Sequence, residues 1–226
     1  FSFAKVPYGT WIIREIESPK GYVLSEEEIA VTIGKVDEVV EIELVNYFIK
    51  GNIVLTKVDE DYPDNKLSGA VFEVYSDTNG DGKLDKADTL LGEMKELDGG
   101  VYQMSELRYG KYLVKETKAP TGFVLDENVY SVSVEENGKT YTVENKAGVG
   151  FINAAQKGSL KIVKTSSDGK VEGFSFRVTG VDYDQTFKTD KNGEIVIEGL
   201  RIGDYTVSEV SDKASAGYIL PADKQA

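Results

Sequence analysis

Apolar and polar residues alternate with a period of two through most of this chain. They do so in short blocks separated by Gly, Asp, Asn and Pro, and helical periodicity is nearly absent. That pattern predicts an all-β fold built from sandwich domains. Three blocks share one form, Gly-x-[Tyr/Trp]-x-x-x-Glu: GTWIIRE ending at Glu15, GKYLVKE at Glu116 and GDYTVSE at Glu209. Side chains two apart in a strand share a face. Trp11, Ile13 and Glu15 therefore align, as do Tyr112, Val114 and Glu116, and Tyr205, Val207 and Glu209. Each glutamate is predicted to point with apolar residues towards a core, where an ionised carboxylate is costly unless it is paired or protonated.

The same parity finds two further inward polar residues. GNIVLTK places Lys57 with Ile53 and Leu55, and GSLKIVK places Lys164 with Leu160 and Ile162. EIELVN aligns Asn46 with Ile42 and Leu44, and GFIN aligns Asn153 with Phe151; each asparagine lies five residues before a glycine, Gly51 or Gly158, that opens the next block. After the glutamate comes PKGYVL in one copy, PTGFVL in the next and GYIL in the third. The order of these signatures divides the chain into tandem units. Residues 1–50 form the C-terminal part of a first domain, with strands over AVTIG and EIELVNYF. Residues 51–156 form a complete domain, and residues 157–226 a third domain lacking its last strand.

This arrangement of inward Lys, Glu and Asn around a Gly-x-Tyr strand and a Pro-x-Gly-Tyr turn resembles the collagen-adhesin B-type (Cna-B, prealbumin-like) repeat domains of Gram-positive surface adhesins and pilins. The resemblance covers essentially the whole chain. It implies tandem Ig-like β-sandwiches and an intramolecular isopeptide bond from Lys57 to Asn153, with Glu116 as the proton-handling acid. The chemistry is consistent: burial lowers a lysine pKa and frees the amine to attack, while a buried glutamate can hold a proton and polarise the carboxamide. A simple buried Lys-Glu ion pair beside a hydrogen-bonded Asn is the alternative. Glu15 with Asn46, and Lys164 with Glu209, are incomplete sets, each lacking one partner. The resemblance also implies an extracellular, cell-wall-associated stalk whose partners are neighbouring repeat domains of the same protein. A module contacting host extracellular matrix or glycan is the second reading, with Tyr62, Tyr183 and Phe187 as candidate exposed aromatics.

Composition narrows the chemistry. Cys and His are both absent, which excludes disulfides, thiolate and Cys- or His-ligated metal chemistry, and the Ser-His-Asp and Cys-His hydrolases. The chain is expected not to be a turnover enzyme. Its 39 acidic against 26 basic side chains argue against a nucleic-acid partner. No apolar run reaches the roughly 18 residues needed to span a membrane, and no signal peptide, anchor or sorting signal is recognised, so membrane insertion of this segment is not expected. Glu116 follows Lys57 by 59 positions, and Glu209 follows Lys164 by 45. Most of the excess is DTNGDGKLDKAD. Here Asp77, Asn79, Asp81, Lys83, Asp85 and Asp88 take positions 1, 3, 5, 7, 9 and 12 of a calcium loop, with Gly82 at the sharp turn. Asp88 stands where such loops usually carry Glu. A structural Ca2+ is the expectation, and a solvated acidic hairpin the alternative.

Overall fold

A computed structural model describes residues 2–3, 5–180, 182–220, 222 and 224–225. All regular structure among them is β-strand. The chain divides into two compact units, one of residues 1–119 with 125–152 and the other of 120–124 with 153–226.

The first unit begins with β1 (Gly9–Arg14) and β2 (Glu28–Ile33), an antiparallel pair. There follow β3 (Lys50–Asp59), β4 (Val71–Ser76), β5 (Thr89–Glu93), β6 (Lys95–Glu96), β7 (Val101–Arg108), β8 (Gly110–Lys118), β9 (Val129–Val134), β10 (Thr140–Thr142) and β11 (Phe151–Asn153), whose last residue falls at the boundary with the second unit. One sheet has the order β10-β3-β7-β6, with β11 also paired to β3; the facing sheet has the order β5-β4-β8-β9. The alternation read from GNIVLTK is realised in β3, where Ile53, Leu55 and Lys57 are fully buried and Val54 and Thr56 are only half-buried. Ile53 and Leu55 pack with Phe72, Val74, Tyr102, Val114, Val134 and Phe151 into one core.

The second unit contains β12 (Lys157–Val163), β13 (Ser175–Gly180), β14 (Tyr183–Lys188), β15 (Glu194–Arg201), β16 (Thr206–Val210) and β17 (Lys224–Gln225). Its sheets are β12-β15 and β14-β13-β16-β17. Phe174, Phe176, Val178, Ile195, Ile197, Leu200 and Tyr205 form the core between them.

Three local expectations differ from the structure. Residues 41–48, predicted as a strand, form none; an isolated bridge from Tyr22 to Phe48 closes that stretch. β11 has β3 to pair with, whereas no described strand lies beside residues 41–46, and backbone groups without a ladder remain irregular. Trp11, expected inward, is 43% exposed because, among the described residues, β1 and β2 pair only with each other. Tyr183 and Phe187, expected as exposed loop aromatics, lie on β14 and pack against the second core; Tyr183 meets Tyr205 edge-on at 6.0 Å. Tyr62 is 45% exposed.

Candidate functional site

Strand β3 carries Lys57 into the core of the first unit. Its backbone is fixed on both sides, its N–H donating to Gly100 O at 2.7 Å and its carbonyl accepting from Leu67 N at 2.9 Å. Its side chain is fully buried, with Nζ 3.6 Å from Glu116 Oε1. Nζ donates to the Phe151 carbonyl at 3.1 Å and lies 4.9 Å from the centre of that residue's ring. Burial pulls the Lys57 ammonium down from 10.5 to about 8, and the opposing pull of the Glu116 carboxylate only partly offsets it.

Glu116 enters from the facing sheet. On β8 it stands opposite Phe72 of β4, is fully buried, and accepts the Asp126 N–H on Oε2 at 2.9 Å. Asn153 ends β11 on the same inward face as Phe151, and is 3% exposed. The Phe151 ring fixes that face by edge-on contacts with Phe72 at 4.9 Å and Tyr130 at 5.1 Å. Lys57 on β3 and Glu116 on β8 therefore meet in the core of the first unit, and Asn153 ends the strand whose Phe151 packs in that core.

The incomplete sets repeat parts of this geometry. Asn46 Nδ2 donates to both Glu15 oxygens at 2.8 Å, and the Ser25 N–H donates to Glu15 Oε2 at 2.8 Å, just as Asp126 N does to Glu116. In the second unit Lys164 Nζ donates to both Glu209 oxygens at 2.9 Å, 4.6 Å from the centre of the Phe174 ring. The Glu209 side chain is 1% exposed, and Glu209 faces Phe176 as Glu116 faces Phe72.

Sequence reasoning missed two features. The aromatic of each Gly-x-[Tyr/Trp] block donates to the carbonyl four residues earlier: Trp11 Nε1 to Pro7 at 3.1 Å, Tyr112 OH to Arg108 at 2.6 Å and Tyr205 OH to Arg201 at 2.9 Å. Its threefold repetition at fixed spacing was the available signal. The second is Asp126, which accepts from Tyr130 OH at 2.6 Å and Asn145 Nδ2 at 2.8 Å. Burial pushes its carboxyl up, but those bonds and the ones from Asn128 outweigh it and hold Asp126 below the ordinary aspartate range.

The insertion loop is wound about its own side-chain oxygens. Asp77, 7% exposed, accepts from Gly80 N at 2.7 Å and Gly82 N at 3.1 Å. Asn79 accepts from Asp81 N, Asp81 from Lys83 N, Asp85 from Ala87 N, and Asp88 from Thr78 N and Asp85 N. Gly82, at φ 75°, makes the turn that its position required. An all-oxygen donor set suits Ca2+ chemically. Among the described residues, however, no three acidic side chains are gathered closely enough to hold an ion, so binding requires these carboxylates to draw in.

Comparison with known proteins places the chain in a family. The structure of the Bacillus anthracis TIE protein is similar over 97% of this chain, with 27% identity and a TM-score of 0.76; this chain spans 39% of that one. The shaft pilin SpaA from Lactobacillus rhamnosus GG overlaps loosely, at 16% identity and TM-score 0.37 over 78% of this chain and 92% of its own. A Streptococcal ancillary pilin does so at 20% identity and TM-score 0.36 over 98% and 72%. No curated protein matches the sequence. Among the described residues no helix is long and apolar enough to cross a membrane. Residues 1–47, 51–147 and 158–226 each match the SpaA prealbumin-like fold domain, and the chain belongs to that family.

Proposed function

We propose that this chain is a structural stalk segment of a bacterial surface adhesin or pilus, outside the cell and attached to its wall. In this reading prealbumin-like domains occupy residues 1–50, 51–156 and 157–226. The complete domain is closed by a Lys57–Asn153 isopeptide bond. The observation that carries the proposal is the fully buried Lys57 amine, 3.6 Å from the fully buried Glu116 and bonded to a carbonyl two residues before Asn153.

The reaction is one turnover of the protein on itself. The neutral Lys57 amine attacks Asn153 Cγ while Glu116 donates a hydrogen bond to the carboxamide oxygen. The new Nζ–Cγ bond forms, the Cγ–Nδ2 bond breaks, and the amine proton passes through Glu116 to the leaving nitrogen, which departs as ammonia. With the amine at about 8 rather than 10.5, roughly 300 times more of it is neutral at pH 7. The fold supplies the remaining acceleration by holding amine and amide together.

Lys57 lies near the start of its domain and Asn153 at its end. Tension applied at the domain's ends therefore reaches this pair first, and a covalent bridge carries it past the hydrogen-bonded strands between. Glu15 with Asn46, and Lys164 with Glu209, carry two of the same three groups in the other domains. Partners are the neighbouring domains of the same protein. Asp77, Asn79, Asp81, the Lys83 carbonyl, Asp85 and Asp88 would hold a structural Ca2+ that stiffens the insertion.

Intact-protein mass spectrometry tests the central claim. A deficit of one ammonia that disappears in Lys57→Ala supports it, and the full unmodified mass in the unaltered chain overturns it.

A further inference from the structure

Ile152, between Phe151 and Asn153, has both of its backbone groups held by one side chain. Its N–H donates to Asn145 Oδ1 at 2.6 Å, and its carbonyl accepts from Asn145 Nδ2 at 2.9 Å. A carboxamide offers a donor and an acceptor at the spacing of a peptide group, so Asn145 serves as a one-residue strand along the edge of β11. This matters because β11 is three residues long, and a strand's successive residues direct their backbone groups to opposite edges. Pairing with β3 can hold only one edge.

Asn145 is itself held. Its Nδ2 also donates to Asp126 Oδ2, the oxygen that accepts from Tyr130 OH, while Asp126 Oδ1 accepts from Asn128 N at 3.0 Å and Nδ2 at 2.7 Å. The Asp126 N–H in turn donates to Glu116 Oε2. A continuous series of hydrogen bonds therefore runs from the Glu116 carboxylate through Asp126 and Asn145 to the backbone of the strand that ends in Asn153. The Tyr130 ring, edge-on to Phe151, sets the same strand from its inward face.

We propose that Asp126 and Asn145 are positioning residues for the isopeptide reaction, fixing β11 relative to Glu116 so that the Asn153 carboxamide is presented to the Lys57 amine. The inference rests on the reading of Lys57, Glu116 and Asn153 as the bond-forming set. Electrostatics gives no competing account of Asp126: its negative charge favours the Lys57 ammonium, the form that cannot attack. What Asp126 contributes to the reaction is geometry. Nor does the first fragment carry this device. Ser25 occupies the place of Asp126 there, and residues 41–46 form no strand.

Reactions of this kind lose about 100-fold in rate for a misplacement of about 1 Å. The test is the rate of ammonia loss in the full chain after a short pulse of synthesis, with samples quenched in acid and weighed intact. The comparison is among the unaltered chain, Asn145→Ala, Asn145→Ser and Asp126→Ala, each at several pH values. Bond formation slowed about 100-fold in Asn145→Ala and Asp126→Ala, still accelerating as pH rises through the Lys57 range, supports the proposal. Asn145→Ser keeps an acceptor for the Ile152 N–H and should fall between; it decides the matter if Asn145→Ala does not fold. Melting of each substitution in a Lys57→Ala background, where no bond can form, measures its purely structural cost. Folded variants that lower this melting temperature yet bond at the unaltered rate overturn the proposal. If the unaltered chain itself keeps its full mass, the underlying isopeptide reading fails and the positioning role with it.

Discussion

Asn153→Ala removes the proposed electrophile while leaving Lys57, Glu116 and the Phe151 carbonyl in place. A bond between positions 57 and 153 closes a loop of about 100 residues, and restricting the unfolded chain to that extent is worth about 4–5 kcal/mol at 25 °C. Unfolding entropy of about 2.1 cal/mol/K per residue gives roughly 0.2 kcal/mol/K for a domain of this size, so loss of the bridge should lower its melting temperature by about 20 °C. Truncating a buried carboxamide has its own cost, and a double-mutant cycle with Lys57→Met separates the two. Once either partner is gone no bridge exists, so the second substitution costs only its packing. The coupling energy measured by calorimetry should be at least about 4 kcal/mol, whereas non-covalent neighbours couple by roughly 0.5–3. A coupling within that ordinary range, together with an unmodified mass, would refute the bridge and leave a buried ion pair.

Four further outcomes are expected. In Asn153→Ala the Lys57 amine still titrates, at about 8 in the folded state against 10.5 unfolded; between those values the unfolded chain binds more protons, so stability should rise with pH over that window and be independent of this group below it. Denaturant midpoints for Asn153→Ala relative to the bonded chain, in which Lys57 no longer titrates, would show the opposite slope if the amine were held above its ordinary value. Glu116→Ala should keep the full mass and be about 3–5 kcal/mol less stable than the equally unbridged Asn153→Ala, because it strands a buried ammonium, and normal ammonia loss in this variant would remove Glu116 from the chemistry. Gly150→Ala should cost about 1–3 kcal/mol in urea unfolding, because at φ 134° its Cβ would stand 2.8 Å from the Thr56 carbonyl of β3, which cannot move aside; an unchanged midpoint contradicts that close approach. Saturating Ca2+ should stabilise the chain by about 2.7 kcal/mol at a hundred times its dissociation constant, and a melting temperature indifferent to chelator, or equally responsive in Asp77→Ala with Asp81→Ala, counts against the loop site.

Much of the fold could be read from the alternation alone, because parity in a strand dictates which way a side chain points. Ile53, Leu55 and Lys57 on β3, and Tyr112, Val114 and Glu116 on β8, are buried as their spacing required. The same logic reached Asn153 beside Phe151. It did not reach Asp126 or Asn145, which sit outside strands and act through side-chain contacts that no period reveals; an aspartate after GFVL and an asparagine before a turn look like ordinary loop polarity until their contacts are known.

Direction was therefore written into the chain: the β class, the faces of the strands, and the presence of a lysine, a glutamate and an asparagine turned towards apolar neighbours. Company came with packing. Trp11 occupies the same place in its block as Tyr112 and Tyr205, yet it is 43% exposed where they are 6%, and residues 41–46 alternate as well as any strand but form none. Burial and backbone pairing each require a second surface, and a strand's own residues do not specify whether one is there.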